Sequence, residues 1–317
     1  MKIDNRFLIV IVIVVGLYAT FVIVSDVSTI IVKITQFQVE YIPAIISLVT
    51  ATWFILFLRW HLLLKNSDLH IPKKDSFLIY LSGVALTIIP GKVGELVKSQ
   101  LLKSKFGISR TTTAPIVLAE QLYTVVGIFI VSMFGIWNFE LGIYIMIIFG
   151  ALLAIVFFLI SSKKFFNKFL CLINKIKFLS KFTEPLTDSY DVIKKSTRGR
   201  IFIYSSSLSA LFWLVESITV YLILLSFNID TLEFLTLVPT YTASIILGVA
   251  SFLPLGIGVV EGSLAGFLTL QGIDGSIALT LVIIIRIFTR WYSVSIGFIA
   301  LKITGGLSMK TNSEKEI

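Results

Sequence analysis

The chain has 317 residues, of which 56% are apolar, with a mean hydropathy of +0.97 and a formal net charge of +9. Soluble domains hold roughly 45–50% apolar residues, so a water-soluble globular fold is excluded and an integral membrane protein is indicated. The single cysteine, Cys171, excludes an internal disulfide and a cysteine-based metal site.

In chain order, six apolar stretches predict full spanning helices, near 6–24, 42–64, 114–136, 140–160, 201–227 and 277–303. The first carries Lys2 and Arg6 and runs apolar to Val24 without a small-residue cleavage site. It reads as a span and not as a removed signal peptide. The alternation that barrel strands show over about ten residues is missing, so the expected fold class is all-α and polytopic. Two further stretches, 76–106 and 235–271, are apolar, then broken by Pro and Gly, then helix-compatible again.

Basic residues set the expected orientation. The linker 161–200 has eight Lys and two Arg against three acids. Lys92, Lys98, Lys103, Lys105 and Arg110 cluster in 92–110, and Lys65, Lys73 and Lys74 precede Ser76. All are expected on the cytoplasmic side, with both termini, in a cell membrane. The remaining loops are acidic or nearly free of base, with Glu140, Asp230, Glu233 and Asp274. Phe77 to Pro90 is 14 residues, about 21 Å of helix against a hydrocarbon core of about 30 Å. Both its flanks are basic, so 76–106 reads as a re-entrant hairpin turning at Pro90-Gly91. By the same logic 235–271, flanked by acids, reads as a hairpin from the opposite side that turns through Pro254, Gly256 and Gly258. The turns PGKVGE and PLGIGVVE are alike, and hairpins entering from opposite faces suggest an inverted repeat. The expected division is 1–160 and 201–303 as two membrane halves, 161–200 as a linker and 304–317 as a polar tail. In the linker, Lys alternates with Phe, Leu and Ile, which predicts an amphipathic helix on the anionic inner leaflet; a solvated loop is the other reading.

Broken backbone in a membrane survives only where protein or a water-filled cavity satisfies it. The half-helix after Gly91 and Gly94 would aim free N–H groups, with Lys92 beside them, at an anion. The plainer reading of Lys92 is a carboxylate partner. Arg59 and Glu120 lie near the inner ends of their helices, where they pair or Arg59 snorkels. Glu216 lies mid-helix. Arg286 sits a third of the way into the last helix, and Arg290 one turn beyond would share its face. Lys92, Arg286 and Arg59 are the candidate headgroup-binding cations. Glu95, Glu120, Glu216 and Glu261 are the candidates for charge balance or proton coupling. Ser205, Ser206, Ser207 and Ser209 line a cavity or bond back to their own helix. His61 and His70 flank a basic loop and read as interfacial. No GxxxxGK[ST] loop, HExxH motif or metal-ligand pair is present, so neither a metal nor another cofactor is expected.

The runs PGKVGELVKSQLL, PLGIGVVEGSLAGFL and IIIRIFTRWYSVSIGF, with the Glu120 helix, resemble the flippase-like, lysylphosphatidylglycerol synthase transmembrane-region family from the first helix to Gly297. Two positions depart from its pattern: Gln121 stands where Arg is usual, and Ser293 where Pro is frequent. The resemblance implies a membrane domain that carries an aminoacylated phosphatidylglycerol, or a polyprenyl-phosphate-linked sugar, across the bilayer. In multiple peptide resistance factor proteins a soluble C-terminal domain makes the lipid. Here 304–317 is too short for one, so lipid synthesis is not expected of this chain. The expected partners are anionic membrane lipids and a lipid-synthesis enzyme, not nucleic acid. Two other readings stand beside translocation: a membrane-embedded glycosyltransferase or lipid-modifying enzyme with Glu95, Glu120 or Glu261 as base, and a membrane subunit that anchors a synthase.

Overall fold

The computed structural model describes residues 35–89, 95–175, 189–251 and 253–306, together with residues 16 and 187. The predicted span 6–24, the turn residues Pro90, Gly91, Lys92 and Gly94, and the tail from 307 lie outside the described residues. Within them every regular element is a helix, with no strand. It is an all-α polytopic membrane protein.

Five stretches among the described residues are long and apolar enough to cross a membrane: Val39–Asn66, Arg110–Ser132, Gly142–Ser161, Arg200–Ser226 and Gly275–Ile303. Helix α1, Ile42–Asn66, starts with proline in its first turn. Helices α2, Lys73–Ala85, and α3, Val97–Phe106, flank the first break. Helix α4, Arg110–Ser132, begins four residues earlier than its apolar pattern predicts, because the Ser109 side chain accepts the Thr112 N–H and caps it. Helix α5 is Gly142–Ser161, α6 Lys163–Asn174, α7 Tyr190–Ser196 and α8 Arg200–Ser226. Helices α9, Phe234–Ala250, and α10, Val259–Leu270, flank the second break. Helix α11, Gly275–Arg286, is capped by Asp274, which accepts the N–H groups of Ser276 and Ile277. A π-helical turn, Ile287–Trp291, joins it to α12, Tyr292–Ile303.

At 13 and 10 residues, α2 and α3 measure about 20 and 15 Å and neither spans a core of about 30 Å. Their outer ends come together, because Lys105 lies 3.7 Å from Asp75. The same end of the bundle holds α7, where Lys195 meets Asp68 at 2.5 Å and its carbonyl takes Asn66. The ammonium of Lys195 holds the Asp68 carboxyl below its ordinary range. At the opposite end Gln38 bonds Asn228 and Asn138 bonds Thr236.

The core has two centres. Trp60, Leu63, Ile79, Leu101 and Ile116 of α1–α4 form one with Ile201 of α8 and Leu301 of α12. Val220, Leu237, Leu264 and Leu281 of α8–α11 form the other with Ile45 of α1 and Ile128 of α4. They join where α1 packs along α8, α4 crosses α8 and α12 lies on α2. Lipid is as apolar as these side chains, so close backbone approach carries much of the helix packing. At Gly127 a Cβ would stand 2.6 Å from the Ser209 backbone, and at Gly297 it would stand 2.6 Å from Ala85 N. The short 3-10 turns at the two breaks, Leu86–Ile88 and Pro254–Gly256, also touch each other.

Helix α6 is amphipathic. Phe166 and Leu170 bury against Tyr190, whereas Phe165, Phe169 and Leu172 form an exposed apolar row and Lys163, Lys164 and Lys168 are exposed beside it.

Candidate functional site

A cavity of about 280 Å³ lies where the two breaks meet. Leu56, Val84, Ile89, Ile245, Val260 and Val294 form much of its apolar wall, and four cations and three carboxylates complete it: Arg59, Lys98, Arg286 and Arg290 with Glu95, Glu120 and Glu216. Elements that lie far apart along the chain, from α1 to α12, thus contribute to one chamber.

The charges form two clusters. In the first, Lys98 Nζ donates to Glu120 Oε2 at 2.5 Å and to Glu95 Oε2 at 3.3 Å. The ammonium also lies 5.0 Å from the Trp60 ring centre and 5.8 Å from that of Tyr80, a cation–π box. Arg59 approaches Glu120 at 3.9 Å and donates to Ser209 at 2.8 Å and Thr124 at 3.2 Å. Of the two readings of Arg59, the structure shows pairing: the side chain is 4% exposed and does not reach out to the interface. Gln121, the departure from the family pattern, donates to Glu95 at 2.5 Å.

Lys98 corrects the sequence reading. The cluster of lysines in 92–110 predicts a cytoplasmic side chain for it, yet that side chain is 2% exposed and forms the centre of this group of charges. The signal is present in the pattern: Lys98, Leu101 and Leu102 are buried on one face of α3 whereas Lys103 and Lys105 are not.

In the second cluster Arg286 Nε donates to Glu261 Oε1 at 2.8 Å and its Nη2 donates to the Leu255 carbonyl at 2.6 Å. Glu261 Oε2 accepts the Gly258 N–H at 2.7 Å. Gly256 and Gly258 have φ of +67° and +84°, and Leu255, between Pro254 and Gly256, has φ of +52°. Glycine adopts this left-handed backbone freely and leucine does not. Arg286 and Glu261 therefore strap the turn into a conformation its own sequence resists at Leu255. Arg286, one of the expected headgroup cations, lines the cavity and is tied to the turn. Arg290 does not share the Arg286 arrangement, as an uninterrupted helix would have it. It contacts Glu216 at 3.0 Å and lies 5.9 Å from the Trp213 ring centre.

The serines divide. Ser209 bonds back to the Ser205 carbonyl while serving Arg59, and Ser205 and Ser206 are buried, whereas Ser207 is exposed on the far face. His61 is half-buried and stacks near Phe57, and His70 is exposed; neither lines the cavity. Cys171 is exposed on α6. Among the described residues no three His, Cys, Asp or Glu side chains stand together as metal ligands.

The family described as "Lysylphosphatidylglycerol synthase TM region" matches residues 7–297. The chain belongs to that family. A UPF0104 membrane protein of Methanocaldococcus jannaschii is 28% identical over 214 residues, which is 67% of this chain and 91% of the relative. Two UPF0104 membrane proteins of Methanothermobacter thermautotrophicus match shorter stretches. One is 33% identical over 32% of this chain and 29% of its own length. The other is 27% identical over 33% of this chain and 31% of its own length. The region that the family matches takes in both breaks, both charge clusters and every described spanning stretch up to Gly297.

Proposed function

We propose that this family member moves the headgroup of an anionic membrane lipid between leaflets, through the cavity at the junction of its two breaks. The carrying observation is the composition of that chamber. A wall of aliphatic side chains surrounds paired charges of both signs at the level where the two broken helices meet. Structural packing asks for no such concentration of ions in a membrane, whereas a phospholipid or polyprenyl-phosphate headgroup needs both a polar lodging and an apolar rim for its chains.

In this reading each break is a re-entrant hairpin, and the two enter from opposite sides. Each side of residues 161–200 carries a broken pair followed by a spanning stretch, α2 and α3 before α4 and then α9 and α10 before α11 and α12, which supports an inverted repeat. The polar partners repeat too. Glu95 bonds a side chain 26 residues on, Gln121, and Glu261 bonds one 25 residues on, Arg286. Lys92, expected at the first break, lies outside the described residues. The basic linker with α6 would lie on the inner leaflet of the cell membrane, where a lipid-synthesis enzyme could deliver its product.

The test is leaflet exchange. Pure protein in liposomes is given head-labelled lipids, and a membrane-impermeant quencher reports the fraction that changes leaflet. Zwitterionic, phosphatidylglycerol, lysyl-phosphatidylglycerol and polyprenyl-phosphate probes define the headgroup, with Lys92→Ala as the comparison. Exchange of an anionic class that weakens in the variant is expected. No exchange of any probe by folded protein would overturn the reading.

A further inference from the structure

The cations of the cavity wall are not equivalent. Arg59, Lys98 and Arg286 are 4%, 2% and 3% exposed, and each is fixed by two or more partners. Arg290 is 24% exposed and lines the same chamber. Its placement is a consequence of the π-helical turn Ile287–Trp291. In an unbroken α-helix residues four apart stand on one face, and Arg286 and Arg290 would compete for one carboxylate. The wider turn separates them, so that Arg286 goes to Glu261 at the second break and Arg290 goes to Glu216 of α8. Turns of this kind concentrate at functional sites.

The pairing of Arg290 is also geometrically incomplete. Both Glu216 oxygens approach one nitrogen, Nη2, at 3.0 and 3.2 Å. A guanidinium binds phosphate or carboxylate best through two parallel N–H groups from two nitrogens, and Glu216 does not use that fork. We propose that Arg290 is the headgroup-receiving cation, and that a lipid phosphate takes the place of Glu216 on its guanidinium. This rests on the translocation reading above. The Trp213 ring beneath the guanidinium holds it in plane while its anion changes. The exchange replaces one anion on Arg290 by another, and the released Glu216 carboxylate takes up a proton from the aqueous phase, so neither group is left as a bare charge in the membrane. Arg286 and Lys98 keep their partners throughout, and the strapped turn and the first cluster stay intact.

The experiment is equilibrium binding to the full chain in detergent by titration calorimetry. The probes are dihexanoylphosphatidylglycerol, inorganic phosphate and dihexanoylglycerol. The wild type is expected to bind the phosphatidylglycerol and neither of the others at the same concentration. Arg290→Gln should weaken that binding by about tenfold or more, the loss of a charge-assisted contact. Arg290→Lys should fall between, since it keeps the charge and loses the fork. Glu216→Gln should tighten binding, because it removes the competing anion and leaves an amide of the same shape. Wild-type affinity in folded Arg290→Gln, or weaker binding in Glu216→Gln, would overturn the assignment while leaving translocation standing. If Arg290→Gln does not fold, Arg290→Lys and Glu216→Gln decide the matter. Equal binding of inorganic phosphate would overturn the lipid as ligand in favour of a free anion. A wild type that binds no lipid probe and exchanges none in liposomes would remove both the assignment and the reading beneath it.

Discussion

Lys98 holds a charge with 2% of its side chain exposed, and two kinds of neighbour make that tolerable: the carboxylates of Glu120 at 2.5 Å and Glu95 at 3.3 Å, and the Trp60 and Tyr80 rings. Its aliphatic stem fills the space over Gly83, where a Cβ would stand 2.8 Å from Lys98 Cδ. A buried ion pair adds little over a well-packed apolar pair, but a buried charge that loses its partner is costly. Glu120→Ala leaves both Lys98 and Arg59 short of a carboxylate and should cost about 3–5 kcal/mol. Lys98→Met with Glu120→Gln removes both charges and should cost less than Glu120→Ala alone. Thermal unfolding in detergent of the single and paired variants checks this, and simple additivity would show that the two side chains are not coupled. Glu120 and Arg59 are legible in the sequence because isolated charges in apolar runs are conspicuous. Lys98 is not, because three lysines within eight positions look like a cytoplasmic patch, and only their helical phase separates the buried one from the exposed two.

At the scale of elements, the long spans are legible and the caps are not. Apolar runs place the spans, but Ser109 and Asp274 set where α4 and α11 start, and an apolar count does not weigh a capping hydroxyl or carboxylate. Nor does composition reveal the π turn, since IFTRW reads as ordinary helix. The two breaks are legible because Pro and Gly interrupt runs too short to cross. Cysteines at His70 and Lys103, in a Cys171→Ser background, should both react with an impermeant reagent from the cytoplasmic side, and cysteines at Glu233 and Ser276 from the other. Reaction of His70→Cys and Lys103→Cys from opposite sides would mean that the first break is a crossing. Packing between elements gives a second test. Gly297 lies against the α2 backbone, where an added Cβ would stand 2.8 Å from Leu81 O and 2.6 Å from Ala85 N, whereas Gly262 has open space around it. Backbone cannot yield as a flexible side chain does, so Gly297→Val should cost about 1–3 kcal/mol. Gly262→Val should leave the unfolding temperature in detergent unchanged.

At the scale of the whole molecule, both core centres draw on residues from before and after 161–200: Ile45 and Ile128 pack with Val220 and Leu281 in one, and Ile201 and Leu301 with Trp60 and Ile79 in the other. Polar contacts stitch the two sides together as well. Arg59 donates to Ser209, Trp53 to Ser293, Trp213 to the Thr124 carbonyl, Ser132 to Thr242 and Tyr123 to the Ser196 carbonyl. All five join a residue before the linker's centre to one after it, and four of them are buried at both ends or nearly so. Hydrogen bonds between membrane helices each contribute on the order of 1 kcal/mol. Added to the glycine-mediated approach of α4 to α8 and α12 to α2, they give an association that does not depend on a continuous chain. Loop closure adds only a modest entropic term for a connection of this length. The chain cut between residues 180 and 181 and expressed as two fragments should therefore reassemble in the membrane. A tag on the first fragment alone should recover the second in equal amount after detergent extraction. Gly127→Val, which forces α4 off the Ser209 backbone, should reduce that recovery, because the cut chain has no tether to oppose the strain. Recovery of the tagged fragment without its mate would mean that the linker, and not the packing of the two sides, holds the cavity together.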